Sequence, residues 1–221
     1  MKQNLQTIDA AFTNHYRGLF EIQQSVKNQL VDYPFDLSKT EITDAIIDRM
    51  MAFWFFNVRN NKEILGREIN TTSADFFTET CLLFLKSYFE KQHGIKVLSE
   101  RNITKGSVIR PDISIWKDNQ LVAAIELKVS DGWKGGTMLP HLIEREIQIK
   151  SLFPNAYFGV IAFWNFFDTN IEVWNSKYFG LLKFDKDNNH QRSGASIEQL
   201  IKEIEKIKAS KHIKSIKYCR S

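Results

Sequence analysis

Apolar residues recur along this chain in two rhythms, one of three and four residues and one of two. In the first thirty residues Ile8, Ala11, Phe12, Tyr16, Leu19, Phe20 and Gln23 approximate one helix face. Tyr33-Pro34 ends that helix, because proline disfavours helical backbone at the residue before it. Ser38-Lys39-Thr40-Glu41 supplies N-cap and first-turn acidic signals for a second helix, running to about Val58. It ends in the patch Met50-Met51-Ala52-Phe53-Trp54-Phe55-Phe56, apolar on several sides and suited to core packing or to a dimer interface. Ser73 caps a third helix from Ala74 to about His93, and Gly94 stops it. Ile95 to Arg101 reads as a strand. Met138 to Phe153 is a fourth helix, with Leu139, Leu142, Ile143, Ile149 and Phe153 inward. Pro154-Asn155 ends it, and Tyr157 to Phe166 follows as a strongly apolar strand. A connection through a helix suits a parallel crossover. Ile171 to Trp174 reads as a further short strand, Asp185 to Gly194 as a polar loop, and Ala195 to about Ser210 as an amphipathic helix. The sum is an α/β chain: a mixed central β-sheet flanked by helices, with a helical extension over 1–60 and a core domain over 61–221.

The rhythm of two is clearest between Arg110 and Lys134. Two strand-like runs, ISIW and LVAAIELKV, flank the polar turn cluster Asp118-Asn119-Gln120. Alternation along the second run puts Leu121, Ala123, Ile125, Leu127 and Val129 on one apolar face, and Ala124, Glu126 and Lys128 on the other. A carboxylate and an ammonium side by side on so apolar a segment serve no folding purpose. With Asp118 to Gln120 as a three-residue loop, or an equivalent register with a bulge, Asp112 falls opposite Glu126. A plain two-residue loop would put it opposite Ile125. Facing carboxylates repel and raise each other's pKa unless a positive charge separates them. A divalent cation with hard oxygen ligands removes the conflict, and Mg²⁺ commonly takes one or two carboxylates with phosphate oxygens and water. Lys128 adds a charge suited to holding a water or a phosphate.

Pro111-Asp112, then a turn, then Glu126-Leu127-Lys128 behind a hydrophobic run, resembles the PD-(D/E)XK nuclease superfamily, which includes many restriction endonucleases. The resemblance covers roughly 72–167. It implies a restriction endonuclease-like core and Mg²⁺-dependent hydrolysis of DNA phosphodiesters, with Mn²⁺ able to substitute. Restriction-type host defence is the setting it favours. Repair or structure-specific nucleases share the motif, as would an inactive nucleic-acid-binding protein on the same fold. It also implies metal ligation by Asp112, Glu126 and the Leu127 carbonyl, with Lys128 as the catalytic cation. An acid from the helix before the sheet often joins such sites, which makes Glu79 the candidate and Asp75 the alternative. Some members place a Gln or Lys from the next helix near the metal or phosphate, and Gln148 is suited to that here. The glycine-rich run Ser130 to Gly136 reads as a bent loop at the mouth of the site. There Lys134 can approach a phosphate, and Trp133 can stack on a base or cap the core.

Composition narrows the setting. Apolar and charged fractions of 43% and 25% are those of a globular chain. Cys81 and Cys219 form no disulfide framework or metal-ligand spacing, which points to a reduced cytoplasmic compartment. The opening MKQNLQTIDAAF lacks a signal-peptide apolar run, and Met50 to Phe56 is far short of the ~20 residues that span a bilayer. No membrane association is expected. The net charge of +4 is uneven: 201–221 carries seven Lys or Arg against two Glu, so the rest sums to −1. That tail is either a solvated helix face or a phosphate-contacting arm. A homodimer suits an enzyme that cuts both strands.

Overall fold

The computed structural model describes residues 4–66, 73–129, 138–165, 176–184, 187 and 189–218. The chain divides into two compact units, Met1–Phe35 and Asp36–Ser221. The first holds α1 (Leu5–Val31), whose N-terminus is capped by Asn4: its Oδ1 accepts the Thr7 N–H at 2.8 Å. Leu5, Phe12, Tyr16, Leu19 and Phe20 along α1 are exposed.

The second unit begins with α2 (Glu41–Phe53), continues through a π-helical turn at Trp54–Arg59, and reaches α3 (Asn60–Leu65). Ile42, Ile46, Ile47 and Met50 of α2 are buried. The division therefore falls after Phe35 rather than at residue 60, and α2 belongs to the core. The break at Pro34 is the separator, because α2 has a buried stripe of its own. The apolar patch is split: Met50 is buried, Phe53 stacks on Phe76 with centroids 4.5 Å apart, and Trp54, Phe55 and Phe56 are exposed.

Next come α4 (Ala74–Phe89), β1 (Ile95–Ser99), β2 (Ile113–Lys117), β3 (Gln120–Lys128), α5 (Met138–Leu152), β4 (Tyr157–Trp164), β5 (Tyr178–Phe184), β6 (His190–Arg192) and α6 (Ile197–Tyr218). The six strands form one mixed sheet in sequence order. The pairs β1/β2, β2/β3 and β5/β6 are antiparallel, while β3/β4 and β4/β5 are parallel. The α5 crossover thus joins parallel neighbours, as its length requires. Two strands stand where none was expected. One is β5; the other is β6, a three-residue polar edge inside the stretch 185–194 read as loop. The strand expected at 171–174 lies outside the described residues.

Helices cover both faces. Leu142 and Ile149 of α5 pack with Leu121, Ala124, Phe158 and Val160 on one side. On the other, Phe77 of α4 meets Phe163 of β4 with ring centroids 5.9 Å apart. Leu200 of α6 lies over Gly159 on that side, where an added Cβ would come within 3.1 Å of it.

The hairpin register differs in detail from the three-residue loop. Asp118 and Asn119 alone make the turn, both with positive φ (48° and 64°), and Lys117 pairs with Gln120. An extra residue then enters β3: Trp116 faces Leu121, but Ile115 faces Ala123. That bulge moves Leu121 to the α5 side with Ala124, correcting its expected place beside Ala123 and Ile125. It also restores the frame beyond it. Ile113 pairs with Ile125, so Asp112 stands opposite Glu126.

Among the described residues no helix is long and apolar enough to cross a membrane.

Candidate functional site

The site is built where β2 begins and β3 ends. The Asp112 carbonyl accepts the Ser99 hydroxyl at 2.8 Å and the Glu100 N–H at 3.2 Å, tying it to the end of β1. Its side chain crosses the hairpin, and Oδ2 accepts the Leu127 N–H at 2.6 Å. A charge-assisted bond of that kind fixes the carboxylate's direction. Leu127 thus contributes its N–H to the site.

Alternation along β3 puts Glu126 and Lys128 on the face that carries Asp112. Lys128 Nζ lies 3.3 Å from Glu126 Oε2 and 3.7 Å from Asp112 Oδ2. Glu126 is 5% exposed. Burial first, and the Asp112 charge second, push its carboxyl above the usual range, while Lys128 and Arg145 oppose the rise.

Arg145 is the residue the sequence reading missed. Its Nε lies 3.8 Å from Glu126 Oε1, and both atoms are buried without a hydrogen-bond partner among the described residues. The signal was present: Leu142, Arg145 and Ile149 fall at i, i+3 and i+7, so a cation sits on the inward stripe of α5. Gln148, preferred on the resemblance, instead donates from Nε2 to Glu144 Oε1 at 3.1 Å along the helix.

Glu79 and Asp75 are exposed on α4, which packs against the opposite side of the sheet. Among the described residues no third carboxylate, histidine or cysteine joins Asp112 and Glu126 in a metal-sized group. Trp133 and Lys134 lie outside the described residues.

The donor set fits a hard divalent cation in its chemistry. Two carboxylates face each other across the hairpin, and Glu126 Oε1 is buried without a hydrogen-bond donor among the described residues. Such an oxygen is costly to leave unsatisfied, and Mg²⁺ takes ligands of this class. Arg145 and Lys128 supply two positive charges against the two negative ones. An anionic phosphate could therefore join a cation there without leaving a large net charge.

Comparison of the chain with protein-family models, with curated proteins and with solved structures gave no match.

Proposed function

We propose that this protein is a metal-dependent endonuclease hydrolysing DNA phosphodiester bonds, most simply of the restriction type used in host defence. The observation that carries the reading is the convergence of Asp112, Glu126 and Lys128 on one sheet face, with the ammonium within 3.7 Å of both carboxylates. Folding gives no reason to gather these charges at the end of a buried strand, since apolar packing generally stabilises as well or better. The order α4-β1-β2-β3-α5-β4 is also the one the superfamily core requires.

Hydrolysis of a phosphodiester needs an activated water, an in-line approach and relief of charge on the phosphate. Bound Mg²⁺, or Mn²⁺ in its place, would polarise a phosphoryl oxygen and lower the pKa of a coordinated water. Asp112 and Glu126 would hold it. Lys128 points a cation at the charge that grows on the phosphate, an effect worth most in a site shielded from water. The Leu127 N–H orients Asp112, and Arg145 keeps Glu126 closer to its ionised form.

Plasmid incubation tests this directly. Supercoiled plasmid should be cut with Mg²⁺ and left intact in EDTA, and Lys128→Ala should slow cutting by about 10²–10³-fold. Discrete bands would mark sequence-specific cutting, and a smear a non-specific enzyme. Preference for branched over linear DNA would point to repair. A second reading, nucleic-acid binding without catalysis, has one observation on its side: Lys128 and Arg145 already lie within 4 Å of the carboxylates they balance. Plasmid unchanged by folded protein under every condition would favour it and end the nuclease reading.

A further inference from the structure

We infer that the loop joining β1 to β2 is a phosphate-backbone clamp, in which Arg101, Lys105 and Arg110 hold the nucleic-acid strand beside the Asp112–Lys128 site. The three cations line a cavity of about 610 Å³ at residues 100–110. All three are exposed. Among the described residues none has an ion-pair or hydrogen-bond partner, whereas Lys86, Lys150 and Arg192 each have a carboxylate within 2.8 Å. Glu100 also lines the cavity, so its charged lining sums to +2. Like charges gathered around one opening repel each other, and a polyanion relieves that repulsion.

The loop that carries them is anchored. Ile103 and Ile109 are 3% and 8% exposed and belong to the apolar cluster under α5. The Ile103 N–H donates to the Ile109 carbonyl at 3.1 Å, and the Ile109 N–H to Ser107 Oγ at 2.9 Å. Gly106, at φ +82°, makes the bend between them. The cations therefore project from a pinned frame on the α5 side of the sheet, the side of Asp112, Glu126 and Lys128. Buried Pro111 separates Arg110 from Asp112, so at most about 7 Å of chain lies between the two. A cavity with cations on three separate positions of its lining suits a phosphodiester backbone better than a single phosphate. Such contacts position a strand without reading its sequence.

The identity of the polyanion rests on the nuclease reading, so the test measures binding and cutting separately. Fluorescence anisotropy with a labelled 20-base-pair DNA duplex in EDTA compares the full chain with Arg101→Gln/Lys105→Gln/Arg110→Gln, with Lys39→Gln, an exposed lysine already paired with Asp36 and Glu41, as control. Thermal unfolding verifies that each is folded, and single Gln substitutions stand in if the triple variant is not. The triple variant should lose at least tenfold in affinity near 0.1 M salt. Its slope of log affinity on log salt should be shallower by about 2 to 3, at ~0.9 per phosphate contact. Lys39→Gln should keep the wild-type slope. An unchanged slope in the folded triple variant overturns the clamp, and so does a wild-type chain that binds no DNA. Millimolar inorganic phosphate that binds at the triplet while duplex affinity is unaffected overturns it in favour of a single-phosphate site. Cutting by the wild type with an unchanged triple-variant slope removes the clamp and leaves the nuclease. Triplet-dependent binding with no cutting removes the nuclease and leaves the clamp.

Discussion

Glu126 holds a carboxylate where water scarcely reaches it, and its raised pKa has a definite sign for stability. Between the ordinary value of 4.5 and the raised folded value, the folded chain binds more protons than the unfolded one. Stability in the absence of metal therefore falls as pH rises through that window. Glu126→Gln has no such proton to lose. In urea unfolding series, the variant should gain on the wild type across that window, and the gain should then level off. Mg²⁺ should stabilise the wild type and leave the variant unmoved, since only a protein that binds the ion gains from it. A pH-independent difference between the two would sink this account. Arg145 acts on the same carboxyl. It opposes the rise, so Arg145→Ala should raise the Glu126 pKa further and move the acid limb of the rate–pH profile to higher pH. Arg145→Lys, which keeps the charge, should restore the limb in part. An unmoved limb would assign Arg145 to packing alone.

At the scale of elements, two local devices set the geometry. The first is the β2–β3 hairpin, where a tight turn at Asp118-Asn119 would put Asp112 opposite Ile125 if β3 ran without interruption. The bulge between the Ala123 and Leu121 pairings adds one residue and brings both carboxylates to one face. The second is the start of α2. Glu198 of α6 is 2% exposed, and its Oε1 accepts the Ile42 and Thr43 N–H groups at 2.7 and 3.1 Å. Thr43 Oγ1 donates to its Oε2 and accepts the Ile197 N–H at 2.8 Å. One carboxylate thus satisfies two of the free amides at the α2 N-terminus, where the helix dipole also favours negative charge. Glu198→Ala should lower the unfolding free energy by about 2–3 kcal/mol in urea titrations, without altering the Lys128-dependent activity measured per folded molecule. A loss below about 0.5 kcal/mol would show that water replaces the carboxylate.

For the molecule as a whole, the division after Phe35 has a consequence that truncation can read. Among the described residues none before Ile42 belongs to the buried apolar core. A chain beginning at Asp36 should therefore unfold cooperatively, with a midpoint near that of the full chain. Loss of cooperativity would mean that α1 is needed for the fold. Along α1, Leu5, Phe12, Leu19 and Val26 recur every seven residues, the repeat by which two helices bury a common seam. The homodimer expected of an enzyme that cuts both strands would bury this stripe. Sedimentation should show a dimer for the full chain and a monomer for Phe12→Asp/Leu19→Asp. A wild-type monomer at micromolar concentration would overturn the expected homodimer.

The sequence by itself determined most of the elements and singled out the centre of the site. Apolar spacing marked the first four strands and every helix but α3, whose six residues are too few to show a period, because burial of one face imposes a period that local residues must obey. The lone charges Glu126 and Lys128 on an apolar strand stood out for the same reason, and the alternative of a bulged register allowed Asp112 to face them. Tertiary structure decided what no period encodes. It moved Leu121 to the α5 side through one inserted residue, and it admitted β5 and β6 because strands at a sheet's flank are held by pairing as much as by pattern. It put α2 in the core through a carboxylate 156 positions away at Ile42. It also left Glu79 exposed and brought Arg145 to Glu126, because which helix covers which face depends on how the sheet is wound. Spacing along a chain fixes the face on which a side chain lies; only the packing of the elements fixes what that face meets.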